Sequence, residues 1–335
     1  MSTFEGRIEE IPGVSVDNFG NDNVKSSLFF LSHCHTDHMY GLDKLLQTLP
    51  NDPVNKFYCS KLTKNFIIEL WNLNDSVSSK INTIDENQTI ITEYKLNNKI
   101  YNLTVTSVPA GHCPGSIMFL FEINKKFILY TGDFRINSQD LSKIKSLHDE
   151  KNVPIKFDNI YLDTTFFDDS FDYLPTRQQS FVEILKFIKN WLDKDEKNII
   201  NIEISAKFGS EYIYMKLFDE LNIKVHVLND VYKAFSNIIN VKNCITNNPY
   251  TTRVHACQLK GNKSPLNCRN DIDVSNIMTV IPSVWYWKNK NLKNKFTDFL
   301  SKENRYYVCY STHSSYQELI YFIKYFKPKK VYPCQ

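Results

Sequence analysis

The chain has 335 residues, 42% of them hydrophobic and 23% charged, a composition that excludes the polar, aromatic-poor disordered class and allows one large domain or two ordinary ones. Its formal net charge is only +3, so a polyanionic partner must be held by a local basic surface and not by a field over the whole molecule. No basic-then-apolar leader opens the chain and no apolar run of about 18 residues interrupts it, so an intracellular, soluble protein is expected, whose 8 cysteines are thiols or metal ligands and not a disulfide framework.

In chain order, the first half alternates apolar runs with polar loops. Residues 27–31, 55–59, 103–108, 117–121 and 127–130 each read as a strand, and several end in His or Asp, the way a rigid scaffold delivers chemistry to its loops. From about Ile155 the units lengthen. A helix capped by Thr176 is predicted to run to Leu192, a strand from Asn198 to Ile204, and a second helix from Gly209 to Leu221, an alternation that predicts a parallel sheet. The stretch from Trp285 to Lys295 is basic with aromatic neighbours; it reads as a solvated surface loop, with a DNA-backbone contact as the alternative.

The chemistry is concentrated at three strand ends. His33-Cys34-His35-Thr36-Asp37-His38 directly follows a strand. In an extended segment residues 33 and 35 point to one side, so both imidazoles reach one metal, while Asp37 and His38 sit at the turn and address a second position. Pro109-Ala110-Gly111-His112-Cys113-Pro114-Gly115 forms a tight loop around one imidazole, and Tyr130-Thr131-Gly132-Asp133-Phe134-Arg135 ends the next strand in a carboxylate able to bridge two ions. Nitrogen and oxygen donors at these spacings favour Zn²⁺ over Mn²⁺ or Fe²⁺.

The ordered set His33-x-His35-x-Asp37-His38, His112 and Asp133, with Asp17 in Ser15-Val16-Asp17-Asn18-Phe19 before it, resembles the motifs of the metallo-β-lactamase fold. The words Leu-Ser-His-Cys-His-Thr-Asp-His-Met, Ala-Gly-His-Cys-Pro-Gly-Ser and Tyr-Thr-Gly-Asp-Phe-Arg resemble the DNA-processing β-CASP family, in its DNA cross-link repair branch. The start, Ser2-x-Phe4-Glu5-Gly6, points to the hairpin-opening members of that branch. The resemblance implies an α/β fold, a metallo-β-lactamase αβ/βα sandwich with an inserted β-CASP cap. Residues 1–155 would form the first part of the lactamase domain, 156–307 the cap, and 308–335 an incomplete return to the first domain. His33, His35, His112 and Asp133 would bind the main Zn²⁺. Asp37 and His38, sharing Asp133, would hold a second, weaker ion, with Mg²⁺ or Mn²⁺ as alternatives there. Zinc lowers the pKa of a bound water to about 7, which puts a hydroxide nucleophile against a phosphodiester at neutral pH.

Two further motifs belong to the cap branch. Asp163 in Tyr161-Leu162-Asp163-Thr164-Thr165 and His313 in Ser311-Thr312-His313-Ser314 match its acid and its histidine; the resemblance implies that Asp163 orients His313, which protonates the leaving 3′ oxygen or stabilises the phosphorane charge. Taken alone, Asp163 reads equally as a helix cap and His313 as a buried polar residue. The branch's third cap motif falls on Gln335, neither the His of RNA-processing relatives nor the Val of DNA-processing ones; the DNA assignment is kept, with a weakly held second ion. His226, His255, Cys257 and Cys268 supply two imidazoles and two thiols at long, irregular spacing, and the resemblance implies a structural Zn²⁺ in the cap. Exonuclease relatives carry lysines near the equivalents of Ser210 and Tyr212 that grip a 5′ phosphate; this chain lacks them.

The function expected is a zinc-dependent, structure-selective DNA endonuclease of the nucleus, cutting hairpins, overhangs and single-to-double-strand junctions in end joining. The alternatives are a 5′ to 3′ DNA exonuclease of the same branch and a partner-dependent DNA-end-binding scaffold; a small-molecule hydrolase would leave Asp163 and His313 without a use. The resemblance also implies the DNA-dependent protein kinase and the end-joining ligase complex as partners, reached through a tail outside this sequence.

Overall fold

The structure is a computed structural model that describes residues 3–50, 55–204, 206–236, 238–259 and 266–334. The chain divides into two compact units, residues 1–167 with 316–335, and residues 168–315.

The first unit carries two sheets. In one, β1 (Val14–Val16), β2 (Leu28–Leu31), β3 (Lys56–Cys59) and β4 (Ile81–Thr83) pair in that order, all parallel. The other contains β5 (Thr89–Leu96), β6 (Lys99–Pro109), β7 (Ile117–Ile123), β8 (Lys126–Tyr130), β9 (Asn159–Leu162) and the chain's last strand, Lys330–Pro333. The strands expected between residues 27 and 130 are all present. The β5–β6 hairpin extends further back than the sequence suggested, because Thr89–Leu96 mixes charged and apolar residues along an edge with one solvated face. Inner residues Val14, Val16, Leu28, Phe30, Val105, Phe119, Phe121 and Tyr130 pack as one core between the sheets, and burial of such side chains supplies most of the driving force for the arrangement. β9, near the start of the region the sequence assigns to the cap, pairs with β8 and with Lys330–Pro333, so it belongs to this sheet.

The second unit is a seven-stranded sheet with β10 (Ile199–Ile204), β11 (Val225–Val227), β12 (Ile245–Thr246), β13 (Val254–Leu259), β14 (Ile277–Pro282), β15 (Thr297–Leu300) and β16 (Arg305–Val308). Their order is β12-β11-β13-β10-β14-β16-β15, with every pair parallel except β15–β16. The helix Arg177–Leu192 begins where the sequence places it. Thr176 accepts Gln179 N–H while the Gln179 side chain accepts Thr176 N–H, a capping box that satisfies two otherwise orphaned donors. Its buried Phe181, Ile184, Ile188 and Leu192 recur at helical spacing.

Candidate active site

The first unit brings the three strand-end motifs together. His33, His35, His112 and Asp133 converge so that one ligand atom from each lies within 4.8 Å of the others. His112 Nε2 is 3.1 Å from His35 Nδ1, and both His33 Nε2 and His112 Nε2 stand 3.6 Å from Asp133 Oδ2. Asp133 turns its second oxygen to the other side, with Oδ1 3.2 Å from His38 Nε2, so one carboxylate faces both histidine groups. His38 Nε2 makes this approach without the alignment of a hydrogen bond, and His33 Nε2 is fully buried without a partner. A buried nitrogen lone pair left unpaired is costly; imidazoles and a carboxylate aimed at common points in this way are what a divalent cation relieves.

Behind these groups, Asp17 fixes their orientation. Its Oδ1 accepts Ser32 N–H at 2.6 Å, and its Oδ2 accepts Ser32 Oγ–H at 2.5 Å, His38 Nδ1–H at 2.8 Å and Tyr130 O–H at 2.8 Å. Since the only Ser32 hydroxyl proton goes to the carboxylate, Ser32 Oγ accepts from His33 Nδ1 at 2.9 Å. His33 is therefore protonated on Nδ1 and presents its Nε2 lone pair to the cavity, while His38 keeps its Nδ1 proton turned to Asp17. Asp17 is buried and has a left-handed backbone, φ 56°, a conformation kept in a folded protein where surrounding contacts over-determine it. Burial, then the neighbouring His38 and His35, hold the His33 pKa well below its ordinary value, so it stays neutral. Burial also opposes charge on His38, but Asp133 and Asp17 outweigh it and hold its pKa well above 6.5.

The loops are locked to one another. Arg135 N–H donates to Ala110 O at 3.0 Å, tying the Asp133 loop to the His112 loop, and the buried Arg135 guanidinium meets Glu318 at 3.2 Å. Gly132, with φ 51°, has no space for a side chain: a Cβ would stand 2.7 Å from Ser32 Oγ, the hydroxyl that links Asp17 to His33. Asp163 is buried at the end of β9, where Oδ2 accepts Phe134 N–H at 3.2 Å and Oδ1 accepts Thr165 N–H at 2.9 Å. It thus steadies the residue next to Asp133. Asp37 is half-buried on the one-turn helix Thr36–His38 and is not among the residues that these clusters bring together. His313 is half-buried in the second unit beyond β16, where Ser311 Oγ accepts its N–H at 3.1 Å. Ser2 and Gln335 lie outside the described residues.

The second unit assembles the other expected cluster. His226 on β11 and His255 on β13 are register partners on adjacent strands, and Cys257 follows two residues on. His226 Nδ1 to His255 Nδ1 is 3.2 Å, His255 Nδ1 to Cys268 Sγ 3.3 Å, and Cys257 Sγ to Cys268 Sγ 3.4 Å. Edges of a tetrahedral zinc site span about 3.3 Å between nitrogens and about 3.8 Å between sulfurs, so these donors fit one ion. The Cys257 thiol, helped by both histidines, holds Cys268 down to about 3, the thiolate character a metal ligand needs.

Trp285–Lys295 is anchored by an aromatic side chain and flanked by acids. Trp287 is buried, Lys288 pairs with Asp168 at 3.4 Å, Lys293 with Asp172 at 4.0 Å and Lys295 with Asp298 at 3.0 Å, and Lys290 lies 3.5 Å over the Tyr286 ring. Three of these lysines each face an acid, and Lys290 rests on an aromatic ring.

A family described as DNA repair metallo-β-lactamase matches residues 239–334. Over 99% of its length the chain is 34% identical to the protein artemis of Gallus gallus and 31% identical to that of Homo sapiens, covering 48% and 49% of them. The chain thus resembles the DNA-repair metallo-β-lactamase family. The DNA cross-link repair 1A protein of Homo sapiens, another relative, is 28% identical over 97% of the chain and 30% of its own length. The chain spans about half the length of the artemis proteins it matches. In fold it is similar to a protein of unknown function from Enterococcus faecalis V583, with TM-score 0.56 at 13% identity over 91% of this chain and 74% of that one. The α/β fold and the family that the motifs suggested are thus borne out.

Proposed function

We propose that this chain is a metal-dependent DNA nuclease that hydrolyses phosphodiester bonds, working in the nucleus as a structure-selective endonuclease on hairpins, overhangs and single-to-double-strand junctions. The observation that carries the reading is the buried convergence of His33, His35, His112 and Asp133, with His33 Nε2 unpartnered. Its all-nitrogen-and-oxygen donor set favours Zn²⁺. A divalent ion held there supplies Lewis acidity toward a phosphoryl oxygen and lowers the pKa of water to about 7. The protein's part is to hold the donors. Asp17 and Ser32 set the tautomers of His38 and His33, Asp133 offers one oxygen to each side, and Asp163 braces Phe134 beside it. Asp37 serves the second, weaker ion position and His313 supplies the proton for the leaving 3′ oxygen. His226, His255, Cys257 and Cys268 hold a structural Zn²⁺ that staples three segments of the second unit.

Endonucleolytic cutting is favoured over attack on a 5′ phosphate by one local arrangement. Both Glu211 oxygens accept Gly209 N–H, at 3.0 and 2.8 Å, so the chain's own buried carboxylate serves the start of the helix Glu211–Leu221, a place that otherwise suits phosphate. A 5′-hydroxyl DNA hairpin incubated with the wild type and with Asp37→Ala tests the proposal. Cleavage near the tip, lost in the variant, supports it; cleavage only of 5′-phosphorylated strands makes the chain an exonuclease, and DNA binding with no cleavage at full metal loading makes it a scaffold.

A further inference from the structure

Across the buried sheet of the second unit runs a row of polar side chains. His226 on β11 is the register partner of His255 on β13, His255 of Asn201 on β10, Asn201 of Thr279 on β14, and Thr279 of Arg305 on β16. Register partners on neighbouring parallel strands project to the same face. That face is the one carrying the cysteines, since Ile199, two residues before Asn201, packs with Cys257 and Cys268. His255 is fully buried and Asn201 is 3% exposed. His255 Nε2 and Asn201 Oδ1 are both buried polar atoms without a hydrogen-bond partner. One is a ring nitrogen and the other an amide acceptor, on adjacent strands, at the same register.

The His255 ring explains the donor. Its Nδ1 faces His226 Nδ1 at 3.2 Å and Cys268 Sγ at 3.3 Å, so Nδ1 is the atom turned to the cation. A neutral imidazole that gives its Nδ1 lone pair to a metal carries its proton on Nε2. That proton is buried and needs an acceptor, and ligating histidines generally donate the second ring N–H to a carbonyl or carboxylate. We propose that Asn201 is a positioning residue of the cap zinc centre: its side-chain carbonyl accepts the Nε2–H of His255, fixing the tautomer that presents Nδ1 to the ion. The β-bulge that interrupts the β10–β13 register between Asn201 and Glu203 sits beside this pair, and bulges recur where a strand must re-aim side chains at a site. The inference rests on the cap zinc reading.

The test uses zinc-loaded protein and separates the two. Zinc content is measured on the wild type and on Cys257→Ala, and the difference is the ion of the cap. Chelator competition on that ion is then compared for the wild type, Asn201→Leu and Asn201→Asp. Asn201→Leu should weaken zinc about 10–100-fold, and Asn201→Asp, which keeps an acceptor, should restore it. Cobalt(II) substituted at this position should show an altered ligand-field spectrum in the leucine variant only. If the leucine variant fails to fold, nitrogen-15 NMR of the zinc-loaded wild type decides: a slowly exchanging proton on His255 Nε2 is expected, and protonation on Nδ1 would overturn the proposal. Equal zinc affinity in the wild type and Asn201→Leu also overturns it, with the zinc centre intact. Equal zinc content in the wild type and Cys257→Ala removes the centre and the proposal together.

Discussion

Asp17→Asn isolates the carboxylate behind the candidate active site. The backbone at residue 17 has φ 56°, which Asn tolerates and Ala does not, at a cost of about 1–2 kcal/mol; the asparagine variant therefore perturbs only the side chain. In the wild type four donors meet the carboxylate, at 2.5 to 2.8 Å. The least harmful amide orientation puts the NH2 group at the Oδ1 position, facing Ser32 N–H, and keeps the three contacts on the remaining oxygen. One hydrogen bond becomes a donor–donor clash, and the other three fall from charge-assisted bonds of about 1.5–3 kcal/mol toward neutral ones of about 0.5–1.5 kcal/mol. Much of that is recovered by local relaxation. The share felt by the metal is the orientation of His38 and His33, and losses of this kind weaken metal binding about 10–100-fold, or about 1.4–2.7 kcal/mol. Chelator competition on wild type, Asp17→Asn and Asp17→Ala measures it, with urea unfolding of the metal-free proteins alongside. Both variants should lose metal affinity to a similar degree, and Asp17→Ala should lose a further 1–2 kcal/mol of stability, about the left-handed strain. Unchanged affinity in Asp17→Asn would refute the reasoning, because it would mean that tautomer and ring orientation are set elsewhere.

Cys257→Ala should remove the cap ion and lower the melting temperature, and elemental analysis with calorimetry checks both; unchanged zinc and unchanged melting would contradict the tetrahedral fit. Glu211 is buried and its pKa is pushed up from 4.5 to about 7 by burial. A carboxyl raised in the folded state stabilises below its unfolded pKa and loses that contribution as pH rises through the folded one, so the loss falls between about pH 4.5 and 7. Glu211→Gln should therefore gain stability relative to the wild type at pH 8, by about 1–3 kcal/mol, and differ little at pH 4; a pH-independent difference in urea midpoints would rule this out. Replacing Lys288, Lys293 and Lys295 with Ala should change DNA affinity less than about threefold, because each lysine already faces an acid; a large drop in a fluorescence-anisotropy titration at 0.15 M salt would restore the DNA-contact reading.

The two candidate metal clusters differ in how much of them the sequence reveals, and the reason is topological. His33, His35 and His38 lie within six residues, and His112 and Asp133 follow β6 and β8, the two strands that flank β7 in a single antiparallel run. Chain order and spatial order then nearly coincide, so motif order alone points to one site. Asp17 is less legible. It precedes β2 by eleven residues and acts through Ser32, and nothing in Ser15-Val16-Asp17 announces that Ser32 and Tyr130 will both donate to it; a serine directly before the first histidine was the available signal. The cap cluster is assembled across strands instead. His226 and His255 are 29 residues apart yet are register partners, because β13 returns to lie beside β11 after β12 has been placed outside it. A crossover of that kind makes sequence spacing arbitrary, so a ligand set spread over it has no spacing to recognise. Asn201 shows the limit most clearly. An asparagine in the apolar run Ile199-Ile200-Asn201-Ile202 looks like a flaw in a buried strand, and only the neighbouring strand's histidine, with its own unpaired nitrogen, gives that polarity a purpose.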